Sequence, residues 1–192
     1  IMKFLIIDSH PYDQSFNRQL TRKIQEAVQD RHEAEILNLV DDGFNPVMEA
    51  ADLKLFSQGQ AADPKVTEYQ KKIQEADVLV FSFPIWWSTM PAILKGFLDK
   101  VFLYGYAYTY GESGMLEGLL NKQAVVITTM ETPNSLFDGM MNNPVKSQFI
   151  HATLGSCGVN TMRHFQIDQI NSGTSQHRED HFKEIVDYFK SL

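Results

Sequence analysis

Short apolar, β-branched runs alternate with amphipathic segments along this chain, and that alternation leaves few architectures open to it. KFLIID (Lys3 to Asp8) is short and apolar, as in a strand covered on both faces. Arg18 to Asp30 then sets Leu20, Ile24, Ala27 and Val28 at helical spacing, with charged residues opposite. AEILNLV (Ala34 to Val40) reads as a second strand, and Pro64 to Ala76 as a helix with proline in its first turn, where no backbone donor is missed. Val78 to Phe83 is a third strand, Pro91 to Phe102 a helix, and AVVITT (Ala124 to Thr129) a fourth strand. Asn143 to Cys157 reads as helical, closed by Gly158. Met162 to Ile167 is a fifth strand, and Glu179 to Leu192 a final helix with Phe182, Ile185, Val186 and Phe189 on one face. Such a succession calls for a parallel sheet with helices on both faces.

The chain of 192 residues suits one domain spanning 1–192, since no repeat, low-complexity tract or linker marks a boundary. Five strands in an α/β domain of this size predict the doubly wound, flavodoxin-like order 2-1-3-4-5. Hydrophobic residues make up 43%, enough for a core, and the formal charge of −7 argues against a general nucleic-acid or anionic-membrane surface. A single cysteine, Cys157, rules out an internal disulfide framework and fits a reducing compartment. No apolar run approaches the ~18–20 residues that span a bilayer. The start, IMKFLIID, enters a strand pattern at once, so no secretory leader is expected, and Ile1 ahead of Met2 reads as an added residue. The expectation is a cytoplasmic protein without membrane insertion.

In doubly wound sheets ligands lie outside the carboxyl ends of the strands, where the winding reverses. Three loops therefore matter: Ser9 to Asn17, Pro84 to Met90, and Thr128 to Ser135. In the first, Ser15 or Asn17 can cap the following helix, whose exposed amides favour an anion, and His10 can add a hydrogen bond to a phosphate oxygen. A Ser or Asn there is equally an ordinary cap. The loop lacks both GxGxxG and GxxxxGK[ST], so neither a Rossmann dinucleotide site nor an NTPase loop is supported. In the second, Pro84, Ile85, Trp86, Trp87 and Ser88 can wall a flat heteroaromatic ligand, with backbone N–H groups of Trp86 and Trp87 as donors. The alternative is that both indoles pack the core or a subunit interface. In the third, Thr128 and Thr129 offer hydroxyls and amides, a common pair at strand ends.

In order along the chain, HPYDQSFN, FSFPIWW, MPAILKGFLDKVF and YAYTYGESGMLEGLLNKQAVVITT resemble the flavodoxin-like NAD(P)H:quinone oxidoreductases of the DT-diaphorase type. The resemblance covers nearly the whole chain and is densest from Asp77 to Thr129. It implies a tightly bound flavin, FAD in preference to FMN, and a homodimer. It also implies ping-pong hydride transfer from NAD(P)H through the flavin to a quinone or similar acceptor. By the same resemblance His10, Ser15, Phe16 and Asn17 would hold the cofactor's phosphates. Pro84 to Ser88 would run along the isoalloxazine, with Thr128 and Thr129 on its other side. Tyr108 and Tyr110, offered by a partner subunit, and Trp87 would surround the reacting ring. Cys157 falls where the family tends to have a Cys-Gly pair, a packing position.

One departure stands out. Where the family often has two glycines and then a Tyr and a His, this chain reads Met130, Glu131, Thr132, Pro133, with no Tyr or His before His151. Independent support for a dimer comes from Ile93, Leu94, Phe97, Leu98, Val101 and Phe102, a stripe wider than a one-faced surface helix needs; a deeply buried helix would show the same stripe. His177 and His181 stand at i, i+4, but no third ligand is nearby, so no metal is expected. His151 and His164 read as structural or surface residues. Two competing readings are a flavodoxin-type electron carrier and a flavin-binding regulatory subunit of a membrane transporter.

Overall fold

The computed structural model describes residues 1–192. Its elements are β1 (Lys3–Asp8), α1 (Phe16–Gln29), β2 (Glu33–Asn38), α2 (Ala50–Phe56), α3 (Pro64–Glu75), β3 (Val78–Pro84) and α4 (Ala92–Val101). A hairpin, β4 (Tyr108–Tyr110) and β5 (Leu116–Gly118), precedes β6 (Lys122–Thr129) and α5 (Asn134–Asp138). A π-helical segment, Val145–Leu154, leads to β7 (Val159–Ile167) and α6 (Ser175–Ser191). Five strands form one sheet in the order β2-β1-β3-β6-β7, parallel throughout. The expected order describes these five once the β4–β5 hairpin, a separate two-stranded pair absent from the expected elements, is left out of the count. No helix is long and apolar enough to cross a membrane.

The inner strands β1, β3 and β6 are apolar without alternation because both faces are covered, and every residue of β3 is buried, whereas the edge strands β2 and β7 keep exposed positions. The two-residue period divides their side chains between two cores. Leu5, Ile7, Leu79, Phe81, Phe83, Ala124 and Val126 face α3, α4 and the π-helical segment. Phe4, Ile6, Val78, Val80, Val125 and Ile127 face α1 and α6. Asp63 caps α3 through the Lys65 amide, with Pro64 opening the helix as its position requires.

Helix α4 corrects one inference from the sequence. Leu94, Phe97, Leu98, Val101 and Phe102 are all buried within the chain, and Phe97 packs against Phe44 and Tyr69. The stripe is wide because this helix lies between the sheet and a second layer of its own chain. It is therefore no independent evidence for a dimer. Gly96 is needed there, because a Cβ would lie 2.2 Å from the Pro46 carbonyl oxygen.

Further differences concern short or irregular elements. α2 was not anticipated; it is a seven-residue helix with no buried residue, held at its start by a capping box between Glu49 and Asp52. α6 begins four residues earlier than expected, because Thr174 caps it through the His177 amide. The segment expected as one helix is wound more widely than an α-helix over Val145–Leu154 and more tightly over Gly155–Cys157, and Gly158, at φ 77°, ends it as expected.

His164 on β7 turns toward the π-helical segment, its Nε2 2.9 Å from the Thr128 hydroxyl. Burial, with Lys146 nearby, pushes its imidazole from 6.5 down to about 4. The ring is neutral in the fold and must charge on unfolding in acid. Its contribution is whole above about pH 6.5 and is lost as pH falls from there to about 4, by up to about 3 kcal/mol. Urea unfolding of the His164→Gln variant should show a flatter stability profile across that interval than the parent protein.

Candidate active site

A cleft of about 910 Å³ opens at the carboxyl ends of β1, β3 and β6, where the winding reverses. Its first wall is the β1–α1 loop. Ser15 is the N-cap of α1, its Oγ accepting from the Arg18 amide at 3.2 Å. The amides of Phe16 and Asn17 remain at the open helix end, where they and the helix dipole favour an anion. His10 Nδ1 accepts from the Tyr12 amide at 3.0 Å, which leaves the ring proton on Nε2 as a donor. Burial and the nearby Arg18 charge lower the His10 pKa, which favours the neutral ring.

Two buried side chains hold this loop. Asn17 Oδ1 accepts from the Thr129 hydroxyl at 2.9 Å, and its amide nitrogen reaches the Ser82 hydroxyl at 3.4 Å. The start of α1 is thus tied to β3 and β6 beneath the cleft. Arg18, almost wholly buried, donates to both Asp41 carboxylate oxygens at 2.8 and 2.9 Å. It also donates to the His10 carbonyl at 2.7 Å. That fork joins the β1–α1 loop to the loop after β2 and fixes the His10 backbone.

The second wall follows β3. Pro84, Ile85 and Trp86 line the cleft, and the Trp86 ring meets His10 edge-on at 6.4 Å. Trp87 and Ser88 do not line it. They form the tip of a tight turn closed by Trp86 N–H to Thr89 O (2.9 Å) and Thr89 N–H to Trp86 O (3.2 Å). Their φ angles are 48° and 68°, so two successive non-glycine residues occupy the left-handed region. That conformation costs on the order of 1–2 kcal/mol per residue. Trp87 is completely exposed. The Trp86 N–H, expected as a ligand donor, is already spent on Thr89, and the Ile85 N–H on Thr129 O.

Thr128 and Thr129 part company for the reason that divides the core. Adjacent strand residues point to opposite faces. Thr129 faces α1 and lines the cleft, whereas Thr128 is fully buried against His164 on the other face. Its side chain is not a cleft residue.

Tyr108 and Tyr110 are also outside the cleft of their own chain. With Tyr104 they form a ring cluster, centroids 6.0–6.2 Å apart, on the hairpin side. Tyr108 lines a separate apolar groove of about 510 Å³, together with Met90, Phe102, Leu116 and Cys157. Burial pushes the Cys157 thiol up to about 11, so it stays protonated as a packing group.

The third wall was not read from the sequence. Glu131 after β6, Ile170 and Asn171 after β7, and Arg178 and Phe182 of α6 complete the cleft. Phe16 meets Phe182 edge-on at 5.6 Å, joining the two helices. The signal available was the apolar face of α6, which places Phe182 on the same side as Ile185 and Phe189. Nothing in the sequence sets that face beside residues about 160 positions away. His177, in the first turn of α6, sits against the Asp168 carbonyl at 2.9 Å and the His181 ring rather than in the cleft.

A five-stranded parallel sheet wound on both faces, with an aromatic wall and a cleft at its carboxyl edge, defines an open, doubly wound α/β protein. The chain belongs to the family described as having a flavodoxin-like fold, whose model matches residues 2–190. It is 32% identical over 156 residues to a ribosyldihydronicotinamide dehydrogenase-like protein of Penicillium crustosum, covering 67% of this chain and 57% of that protein. It is 30% identical over 176 residues to NAD(P)H dehydrogenase [quinone] 1 of Cavia porcellus, covering 79% of this chain and 64% of that protein. The chain therefore spans less than two thirds of these relatives. Among solved structures, the NAD(P)H:quinone oxidoreductase from Methanothermobacter marburgensis superposes with a TM-score of 0.90 at 25% identity, covering 100% of this chain and 98% of that one.

Truncating Asn17 leaves the Ser82 and Thr129 hydroxyls buried without this partner. Asn17→Ala should lower stability by about 1–3 kcal/mol in urea unfolding. Ser15→Ala, which removes only the cap, should cost about 1 kcal/mol.

Proposed function

We propose that this protein is a flavin-dependent NAD(P)H:quinone oxidoreductase that works as a homodimer. The observation that carries the reading is the cleft itself. At about 910 Å³ it lies at the upper end of the ~300–1,000 Å³ usual for small-molecule and cofactor sites. It runs from the Trp86 wall past the open end of α1 to the first turns of α6. That volume, continuing to α6, leaves room for a dinucleotide flavin, and FAD is the form we favour over FMN.

The residues fit such a group. The Phe16 and Asn17 amides, with His10 Nε2–H, would hold its phosphates, and Ser15 would orient them by fixing the helix start. Pro84, Ile85 and Trp86 would give one side of the ring site an apolar wall, and Thr129 would border the other. A bound flavin would supply the two-electron chemistry, taking hydride from NAD(P)H and passing it to a quinone in turn. The protein's share is to orient both substrates in the same space, one after the other, and to keep bulk water from the ring. With no Tyr or His between Thr129 and His151, backbone amides and solvent would have to assist the proton movement.

A second copy of the chain completes this reading. Tyr108 and Tyr110 lie away from their own cleft, on a hairpin that also exposes Met115, Leu116 and Leu119. Such a surface suits burial against another subunit, where the tyrosines and the exposed Trp87 would enclose the substrate side.

Purified protein should be yellow, release FAD as read by mass spectrometry, and elute at about twice the 22.0 kDa chain mass. It should oxidise NADH or NADPH rapidly when menadione is present, in a parallel-line initial-rate pattern. A colourless protein, or one that passes single electrons but shows no quinone turnover, overturns the reading.

A further inference from the structure

We propose that Glu131 is a positioning residue that latches the outer wall of the cleft, and so favours a dinucleotide flavin over a mononucleotide one. The inference rests on the flavin site proposed above for its ligand, and on geometry alone for the latch. The wall in question is the turn from Asp168 to Thr174, between β7 and α6, of which Ile170 and Asn171 line the cleft.

The base of this turn is held from several sides. Asp168 Oδ2 accepts from the Asn134 amide at 2.8 Å, and the Ile170 amide donates to the Met130 carbonyl at 3.1 Å. Arg178 donates to the Gly173 carbonyl at 2.8 Å and, more weakly, to the Ile170 carbonyl at 3.3 Å. The apex is held differently. Glu131 Oε1 accepts from the Asn171 amide, and Oε2 accepts from the Ser172 amide at 3.2 Å. Two successive N–H groups converging on one anion make the kind of concavity that binds phosphate or carboxylate. Here the chain fills it with its own side chain. Those two amides have no other partner in the fold.

No other hydrogen bond joins the loop after β6 to the Asn171 and Ser172 amides. Gln169, at φ 48°, bends the turn into the left-handed region, and the Gly173 amide closes it on the Gln169 carbonyl at 2.7 Å; these fix the shape of the turn, while Glu131 ties its apex across to the β6 side. The amide contacts also hold the Glu131 carboxyl below its ordinary range, as expected of a carboxylate accepting two backbone donors. The latch lies on the α6 side, away from Trp86. Glu131 itself follows Thr129 by two residues, but the turn it holds presents Ile170 and Asn171 beside Arg178 and Phe182 of α6, and through that turn it bears on the part of a ligand beyond the first phosphate.

Hydrogen exchange on ligand-free protein tests the latch directly. The Asn171 and Ser172 amides should exchange at least about tenfold faster in Glu131→Ala than in the parent, with β3 and β6 unchanged. Glu131→Gln, which keeps one accepting oxygen, should fall between. In fluorescence titrations of the apoprotein, Glu131→Ala should weaken FAD about five- to twentyfold while FMN changes less than about twofold. Unchanged exchange in Glu131→Ala overturns the latch. Equal losses for FAD and FMN, or none for either, overturn its role in ligand choice. If the parent protein binds neither flavin, the flavin reading and the ligand preference fall together, while the exchange result still decides the latch.

Discussion

A parallel sheet buried on both faces can meet a ligand only at its edges, because the space above and below every strand is already filled. In this fold the carboxyl edge is the open one, and each feature of the cleft follows from that limit. Side chains along β3 and β6 are committed to one core or the other until the last residue of the strand. Thr129 is the point at which β6 leaves the core and reaches the cleft, and its neighbour Thr128 is still part of the interior. One position along the chain separates a wall of the site from a packing residue.

Polar side chains then do what the sheet cannot. Asn17 and Arg18 are adjacent on α1, both are buried, and they reach in different directions. Asn17 ties the helix to the strand ends, and Arg18 ties it to the loop beyond β2. Between them they hold the open end of α1 at a fixed height above the sheet. The opposite side of the cleft uses the same device, with Glu131 and Arg178 on the β7–α6 turn. Loops that would otherwise fluctuate are thereby made part of the rigid frame, as a site that must pre-orient a ligand requires.

Much of this was legible in the residues. The five sheet strands, the cap at Ser15, the proline opening α3 and the closing Gly158 each depend on local pattern, and local pattern is what a single sequence carries. The misses depend on distance. The wide stripe on α4 cannot say whether its second face meets the same chain or another one, because both give the same spacing. The hairpin was missed because its strands are three residues each, and because it docks through Gly118 on Gly158, backbone against backbone. The π-helical winding lacks a compositional mark. The α6 wall of the cleft lies at the far end of the chain from α1, and only the closed sheet brings the two helices together. Adjacency in sequence suggests that Trp86 and Trp87 act as a pair, but the turn separates them, Trp86 lining the cleft and Trp87 fully exposed.

That turn has an optical consequence. Trp86 and Trp87 are the only indoles in the molecule, and both stand at the rim rather than in the interior. Native emission should therefore already be that of wet fluorophores, and unfolding would change it little. Anything that covers the rim, whether a flat ligand or another subunit, would change it strongly. Intrinsic fluorescence here reports occupancy, and the state of the core has to be followed by circular dichroism.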